Sequence, residues 1–195
     1  MVVAFTGLAG LVRDGALVMR DTLGSTSRGR SGELERLRGI EGEARSAQVA
    51  IVELARHSFV TPFDRGDIQQ LAAHLAESLC RMEAAVDGGI RHRIDDAPEA
   101  SAELVDSVVR LAELTAQTLP QLGAVEQVSA YPEQARRLVQ RAEGARRDLL
   151  DEVLADRADP LVALRTLAVM EQVVLAVRCF EQVAAVVEGI VVKGS

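Results

Sequence analysis

The sequence predicts an all-α protein built as two tandem three-helix bundles. Three observations carry that expectation. The chain repeats itself: shifted by 98 positions, Pro62 falls on Pro160, Met82 on Phe180 and Glu83 on Glu181. Leu71, Leu75 and Leu79 fall on Val169, Val173 and Val177, and Ile51-Val52 fall on Leu149-Leu150. Two copies of one helical unit need a shared core, because one copy buries little alone. Apolar residues also recur at the 3.6-residue period through most of the chain. Finally, aromatics are only 3% of residues while Ala, Leu, Val, Glu and Arg dominate, the composition of aliphatic helix packing.

Six helices follow in order. The first runs from about Val3 to Leu23, with Phe5, Leu8, Leu11, Val12 and Leu17 on one face. Gly24 to Gly32 reads as a small, polar, basic loop. The second helix, about Glu33 to His57, places Leu34, Leu37, Ile40, Ala44, Ala47, Ile51 and Leu54 on its core face. The third is expected to open with Thr61 as cap and Pro62 in the first helical position, Asp64 completing a capping box. Its interior stripe is Ile68, Leu71, Leu75, Leu79, Met82 and Val86, and Gly88-Gly89 weaken its end. Asp95-Asp96-Ala97-Pro98 form a second loop. A fourth helix runs from about Ala100 to Glu126 with a kink at Pro120. The fifth spans about Pro132 to Asp156, and Asp159-Pro160 start a sixth that reaches about Lys193. Residues 1–95 thus form the first three-helix repeat and residues 96–195 the second.

Charge and composition narrow the function. A net charge of −7 disfavours general affinity for nucleic acid or anionic lipid, which both need a positive field. Two cysteines, Cys80 and Cys179, make no disulfide framework and read as reduced core thiols. The apolar start Met1–Gly10 lacks the basic flank of a secretory signal. Arg13-Asp14 follow too soon for a membrane span, and Arg178, Glu181 and Glu188 break the late apolar stretches. The expectation is a cytosolic protein with no direct membrane insertion and no nucleic-acid partner.

At Thr61-Pro62-Phe63-Asp64-Arg65-Gly66-Asp67-Ile68 the chain resembles the PhoU-like Pit accessory family, whose third helix opens on a Thr-Pro-Phe-Asp-Arg-Glu-Asp-Ile segment. Ser58-Phe59-Val60 and Met82-Glu83-Ala84-Ala85-Val86-Asp87 fit the same pattern. So do Ala112-Glu113-Leu114-Thr115, Leu119-Pro120 and the C-terminal Val187-Glu188-Gly189-Ile190-Val191-Val192-Lys193. The resemblance covers nearly the whole chain and is most specific in the third-helix and C-terminal segments. It implies a PhoU-like fold and a non-enzymatic regulator of a Pit-type inorganic phosphate transporter, held at the inner face of the plasma membrane through that transporter. Self-association stays open as an alternative.

The resemblance also implies where metal would sit. PhoU-like bundles often carry Glu/Asp-x-x-x-Asp pairs on facing helices, which present two carboxylates per helix to one point and hold iron, magnesium or zinc. The matching positions here are Glu41/Arg45, Ala76/Cys80, Val139/Glu143 and Val174/Arg178. Only Glu41 and Glu143 remain as acids. The reading is therefore degenerate motifs, no bound metal and no cofactor, with Arg45 and Arg178 paired to Glu41, Glu143, Glu83 or Glu181. Glu77 lies about 100° around the helix from Ala76.

Remaining candidates are plainer. His57, His74 and His92 share no spacing and read as surface or boundary histidines. Gly7 and Gly10 offer a place for close helix approach. Arg136, Arg137, Arg141, Arg146 and Arg147 form a basic face on the fifth helix, either a patch for an acidic partner or an anion, or a solvated face balanced by Glu133, Glu143, Asp148 and Asp151. No phosphate loop, zinc motif or nucleophile elbow is present. The alternatives to a transporter regulator are a carboxylate-type metal-binding bundle and a helical scaffold with no transporter role.

Overall fold

The computed structural model describes residues 1–25, 30–94, 97–155 and 159–194. Its helices are α1 (Val2–Leu23), α2 (Arg30–His57), α3 (Arg65–Arg91), α4 (Glu99–Thr118), a one-turn α5 (Val125–Val128), α6 (Tyr131–Val153) and α7 (Pro160–Gly194). No strand occurs among the described residues. A 3₁₀ turn, Leu119–Gln121, precedes α5.

Two helix-bundle-like regions result. Helices α1, α2 and α3 pack on one another, as do α4, α6 and α7. Helix α3 lies along α7 and α1 along α4, so one apolar cluster runs through both regions. Repeat-related positions occupy like environments. Leu71 and Val169, Leu75 and Val173, Leu79 and Val177, and Met82 and Phe180 are all buried. Chain direction follows from named pairs. Phe5 meets Phe63 and a side chain at Gly89 would press on Leu23, so α1 runs parallel to α3. Lys193 pairs with Asp67 and Gly88 faces Val169, so α7 runs antiparallel to α3. The α2–α3 and α6–α7 loops therefore sit at opposite ends, separated by about 40 Å along α3.

Close approach is made by glycines other than those expected. A Cβ at Gly15 would overlap Leu79 Cδ2 and press on Leu37 Cδ1 at 3.3 Å, which fixes how near α1 comes to α2 and α3. A Cβ at Gly7 or Gly10 would meet nothing within 4 Å. Gly88 and Gly89 do not end α3. A Cβ at Gly88 would lie 3.1 Å from Val169 Cγ2 and one at Gly89 3.0 Å from Leu23 Cδ2, so both glycines allow close packing, and the helix closes later. Arg93 adopts φ 54° while the Ile94 N–H reaches the Gly89 carbonyl, a Schellman closure with arginine in the left-handed position.

Several boundaries differ from the sequence expectation. Thr61 does not cap α3. Asp64 does, its carboxylate accepting from the Gly66 N–H at 2.6 Å, and Pro62 precedes the helix. Pro160 does occupy the first position of α7, with Asp159 accepting from the Leu161 N–H at 2.8 Å. The two Pro-containing starts are thus not equivalent: α7 begins about one turn earlier than α3 in the repeat frame. Around Pro120 the chain breaks into the 3₁₀ turn and α5 rather than kinking one long helix. Leu54 is exposed and Ala55 buried in its place. Arg30–Gly32 are helical, not loop. The fifth predicted helix ends at Val153, with Leu154 as its C-cap, short of the expected end near Asp156. The expected loop centres at 26–29 and 95–96 and the proposed boundary between residues 95 and 96 lie outside the described residues.

By length and composition alone, α1 and α7 are each long and apolar enough to cross a membrane. The charges at Arg13-Asp14 and Arg178 therefore do not interrupt these stretches as the sequence reading expects. In this fold both helices bury one side, through Phe5, Leu8 and Val12 on α1 and Phe180, Val183 and Val187 on α7. Tyr131 shows how polar groups enter the core. Thr115 Oγ1 donates to the Leu111 carbonyl at 2.7 Å, so the Tyr131 hydroxyl donates to Thr115 Oγ1 at 2.8 Å. Burial raises the Tyr131 pKa well above its ordinary value.

Candidate functional site

The four residue pairs that the family resemblance singles out meet two by two. In the antiparallel α2–α3 hairpin, Glu41, Arg45, Ala76 and Cys80 line one cleft of about 410 Å³ with Gln48, Ala73, His74 and Glu77. In the α6–α7 hairpin, Val139, Glu143, Val174 and Arg178 line a small crevice of about 20 Å³ with Arg146 and Glu181. The spacing explains this. Residues i and i+4 share a helix face, and the repeat places equivalent faces opposite each other in both hairpins.

The charges in the first cleft cancel locally. The Arg45 guanidinium pairs with the Glu41 carboxylate one turn away, which raises the Arg45 pKa above its ordinary value. Glu77 reaches the cleft despite its angular offset and pairs with Arg81 at 2.6 Å. Arg81 also donates to Gln172 across the α3–α7 seam at 3.4 Å. In the second crevice, Arg178 makes no ion pair with Glu143 or Glu181 among the described residues, contrary to the pairing expected for it. Glu83 pairs instead with Arg38 at 2.9 Å. No group of three or more His, Cys, Asp or Glu able to hold a metal occurs among the described residues. A guanidinium where the second carboxylate would be, and apolar Ala76, Val139 and Val174 where three others would be, do not fit a multinuclear cation site.

His74 and Gln48 belong to the cleft, a placement spacing alone did not reveal. Desolvation lowers the His74 pKa and Glu77 only partly restores it. A folded-state pKa below the unfolded value of about 6.5 means that the unfolded chain binds more protons as pH falls through that value. Stability contributed by neutral His74 is thus present above about pH 6.5 and lost on acidification. Urea unfolding midpoints compared at neutral and mildly acidic pH should show a smaller drop for His74→Gln than for the parent chain. An identical drop would remove His74 from this role. His57 is exposed beside Glu53, and His92 caps the end of α3.

Both cysteines are free thiols. Cys80 is half-buried on the cleft wall rather than in the core, and Cys179 is buried on α7. Burial raises both, Cys179 to about 11, the state of a poorly nucleophilic thiol.

On α6, Arg136 pairs with Glu188 at 3.3 Å, Arg141 with Glu103 at 2.9 Å, and Arg137 with Glu133. Arg147 donates to the Glu143 carbonyl at 3.3 Å, and Arg146 lines the second crevice. The balancing acids are therefore mostly on neighbouring helices, at Glu103 and Glu188, not only along α6.

The segment that joins α2 to α3 is fastened at both ends. Ser58 Oγ donates to the Val60 carbonyl at 2.6 Å, and Arg65 Nη2 donates to the Ser58 carbonyl at 2.8 Å. Phe63 packs against buried Phe5 with ring centroids 6.1 Å apart. Asp64 caps α3, Asp67 holds Lys193 at 2.8 Å, and Ile68 is fully buried. Between these contacts lies a short loop whose tip, Phe59 and Val60, is 103% and 84% exposed.

Comparison with known proteins agrees with this architecture. No protein-family model matches the chain. A pit accessory protein of Rhizobium meliloti (strain 1021) is 24% identical over 165 residues, 82% of this chain and 77% of that protein. The crystal structure of a PhoU-like protein from Shewanella oneidensis MR-1 superposes with a TM-score of 0.84 at 11% identity, covering 99% of this chain and 100% of the other. A PhoU-like phosphate regulatory protein from the same organism superposes at 0.70 with 13% identity over 98% of this chain and 99% of the other. The chain therefore has the all-helical PhoU-like fold and is similar in sequence to a pit accessory protein.

Proposed function

We propose that this chain is a non-enzymatic accessory protein that docks on the cytoplasmic face of a Pit-type phosphate transporter and alters phosphate uptake. The observation that carries this reading is the likeness to the Rhizobium meliloti pit accessory protein across 82% of the chain. The site chemistry is consistent with it. Both motif clefts have exchanged carboxylates for guanidinium or apolar groups, so a metal bridge to the transporter is not part of the proposal. Contact would use side-chain surfaces of a standard-sized interface, about 1,200–2,000 Å². Of the α6 arginine face, Arg136, Arg137 and Arg141 are already ion-paired. Arg146 and Arg147 would be the cations that meet acidic groups of the transporter. The test is co-purification with the candidate transporter from membranes, paired with phosphate uptake in cells with and without this gene. Binding together with a changed uptake rate is expected. Absence of both would leave the helical scaffold reading.

A further inference from the structure

We propose that the α2–α3 tip inserts Phe59 and Val60 into the headgroup–acyl boundary of a lipid bilayer, holding this end of the bundle against the membrane surface. The tip is convex, not a groove. Its two apolar residues project into solvent while the chain on either side is fastened by the Ser58–Val60, Arg65–Ser58 and Asp64 hydrogen bonds. A loop collapsed by hydrophobicity alone would bury a phenylalanine, and this chain buries Phe5 and Phe180 fully and Phe63 in part. Other exposed apolar residues face the same end. Val3 lies in the first turn of α1, two residues before Phe5, which contacts Phe63, and Val192 precedes Lys193, which holds Asp67.

Charge at the tip is balanced although the whole chain carries −7, with Arg56, Arg65 and Lys193 matching Glu53, Asp64 and Asp67 in number. Every carboxylate from residue 53 to residue 67 is engaged: Glu53 by Arg56 and His57, Asp64 by the helix N-terminus and Asp67 by Lys193. Arg65 bonds only a backbone carbonyl, so its guanidinium is not held in an ion pair. Beside an apolar wedge, such a cation suits an anionic headgroup phosphate. This is shallow interfacial contact by a loop and requires no spanning helix. It stands apart from the transporter reading, because it needs no protein partner.

The experiment uses the full chain and vesicles without protein. The chain contains no tryptophan, so Phe59→Trp supplies a single fluorescent reporter. On mixing with phosphatidylcholine–phosphatidylglycerol vesicles, its emission should shift to shorter wavelength and be quenched by brominated acyl chains. Parent protein should float with these vesicles, and Phe59→Ser should lower partitioning about tenfold or more, the factor for withdrawing one buried aromatic side chain. Arg65→Glu should weaken binding to the anionic vesicles more than to pure phosphatidylcholine. Leu161→Ser, at the opposite end, should change nothing. Phe59 is fully exposed, so the melting temperature of Phe59→Ser should match the parent. Unshifted emission from the Phe59→Trp variant, or flotation unaffected by Phe59→Ser, overturns the proposal. So does a parent chain that ignores vesicles while Phe59→Ser abolishes transporter co-purification, which would make the tip a protein contact. Vesicle binding without any transporter binding would retain this proposal and reject the transporter reading.

Discussion

Phe180→Ala is expected to lower the melting temperature by roughly 6–20 °C in one cooperative transition. Phe180 is fully buried in the middle of α7, and truncating a core phenylalanine costs about 3–5 kcal/mol through lost transfer free energy and the cavity left behind. Cooperativity is the more informative part. The repeat would allow two halves that melt separately, but α3 packs along α7 and the apolar cluster is continuous across both. Met82→Ala, at the repeat-equivalent buried position in α3, should therefore lower the same transition by a comparable amount. Calorimetry resolving two transitions, each moved by only one variant, would show that the halves fold as independent units.

Rebuilding the missing carboxylates should convert the first cleft into a cation site. The variant Arg45→Asp, Ala76→Glu, Cys80→Asp would place four carboxylates, with native Glu41, on residues that already line one cleft of about 410 Å³. Four acids so close repel one another unless a cation neutralises them. Hard, oxygen-seeking ions such as iron(III) or magnesium match such a donor set. Elemental analysis after purification is expected to find metal in the variant and none in the parent. Added metal should also raise the melting temperature of the variant alone, because only its folded state offers the site. Stoichiometric metal in the parent that is lost on Glu41→Ala would overturn the assignment of these motifs as non-binding. A folded variant that takes up no metal would show that cleft geometry, not only its chemistry, has moved away from cation binding.

The residues differ in how far they could be read without coordinates. Leu71, Leu75 and Leu79 announce a buried helix face by spacing alone, because the α-helical period is fixed by backbone geometry. Glu41 and Arg45 were legible as an ion pair for the same local reason. Helix ends were less legible. Thr61-Pro62 and Asp159-Pro160 carry the same signal, yet only Pro160 opens a helix. What decides the first case is Phe63 packing against Phe5, a contact between residues 58 positions apart that holds the chain out of helix until Asp64.

The sequence by itself determined that this protein is all-helical and internally repeated, and that its motif positions lack the acids for a metal cluster. The helical class and the repeat depend on composition and on spacings of a few residues along single helices, whereas the motif positions are those that the resemblance to PhoU-like bundles implies. Only the tertiary structure decided that Gly15, rather than Gly7 or Gly10, sets the closest helix approach, and that Glu77 and His74 share a cleft with Glu41. It also decided that the α6 arginines answer to Glu103 and Glu188 on other helices, and that Phe59 and Val60 stand in solvent. Each of these depends on which faces of separate helices meet, a relation set by packing of the whole core and not by local sequence.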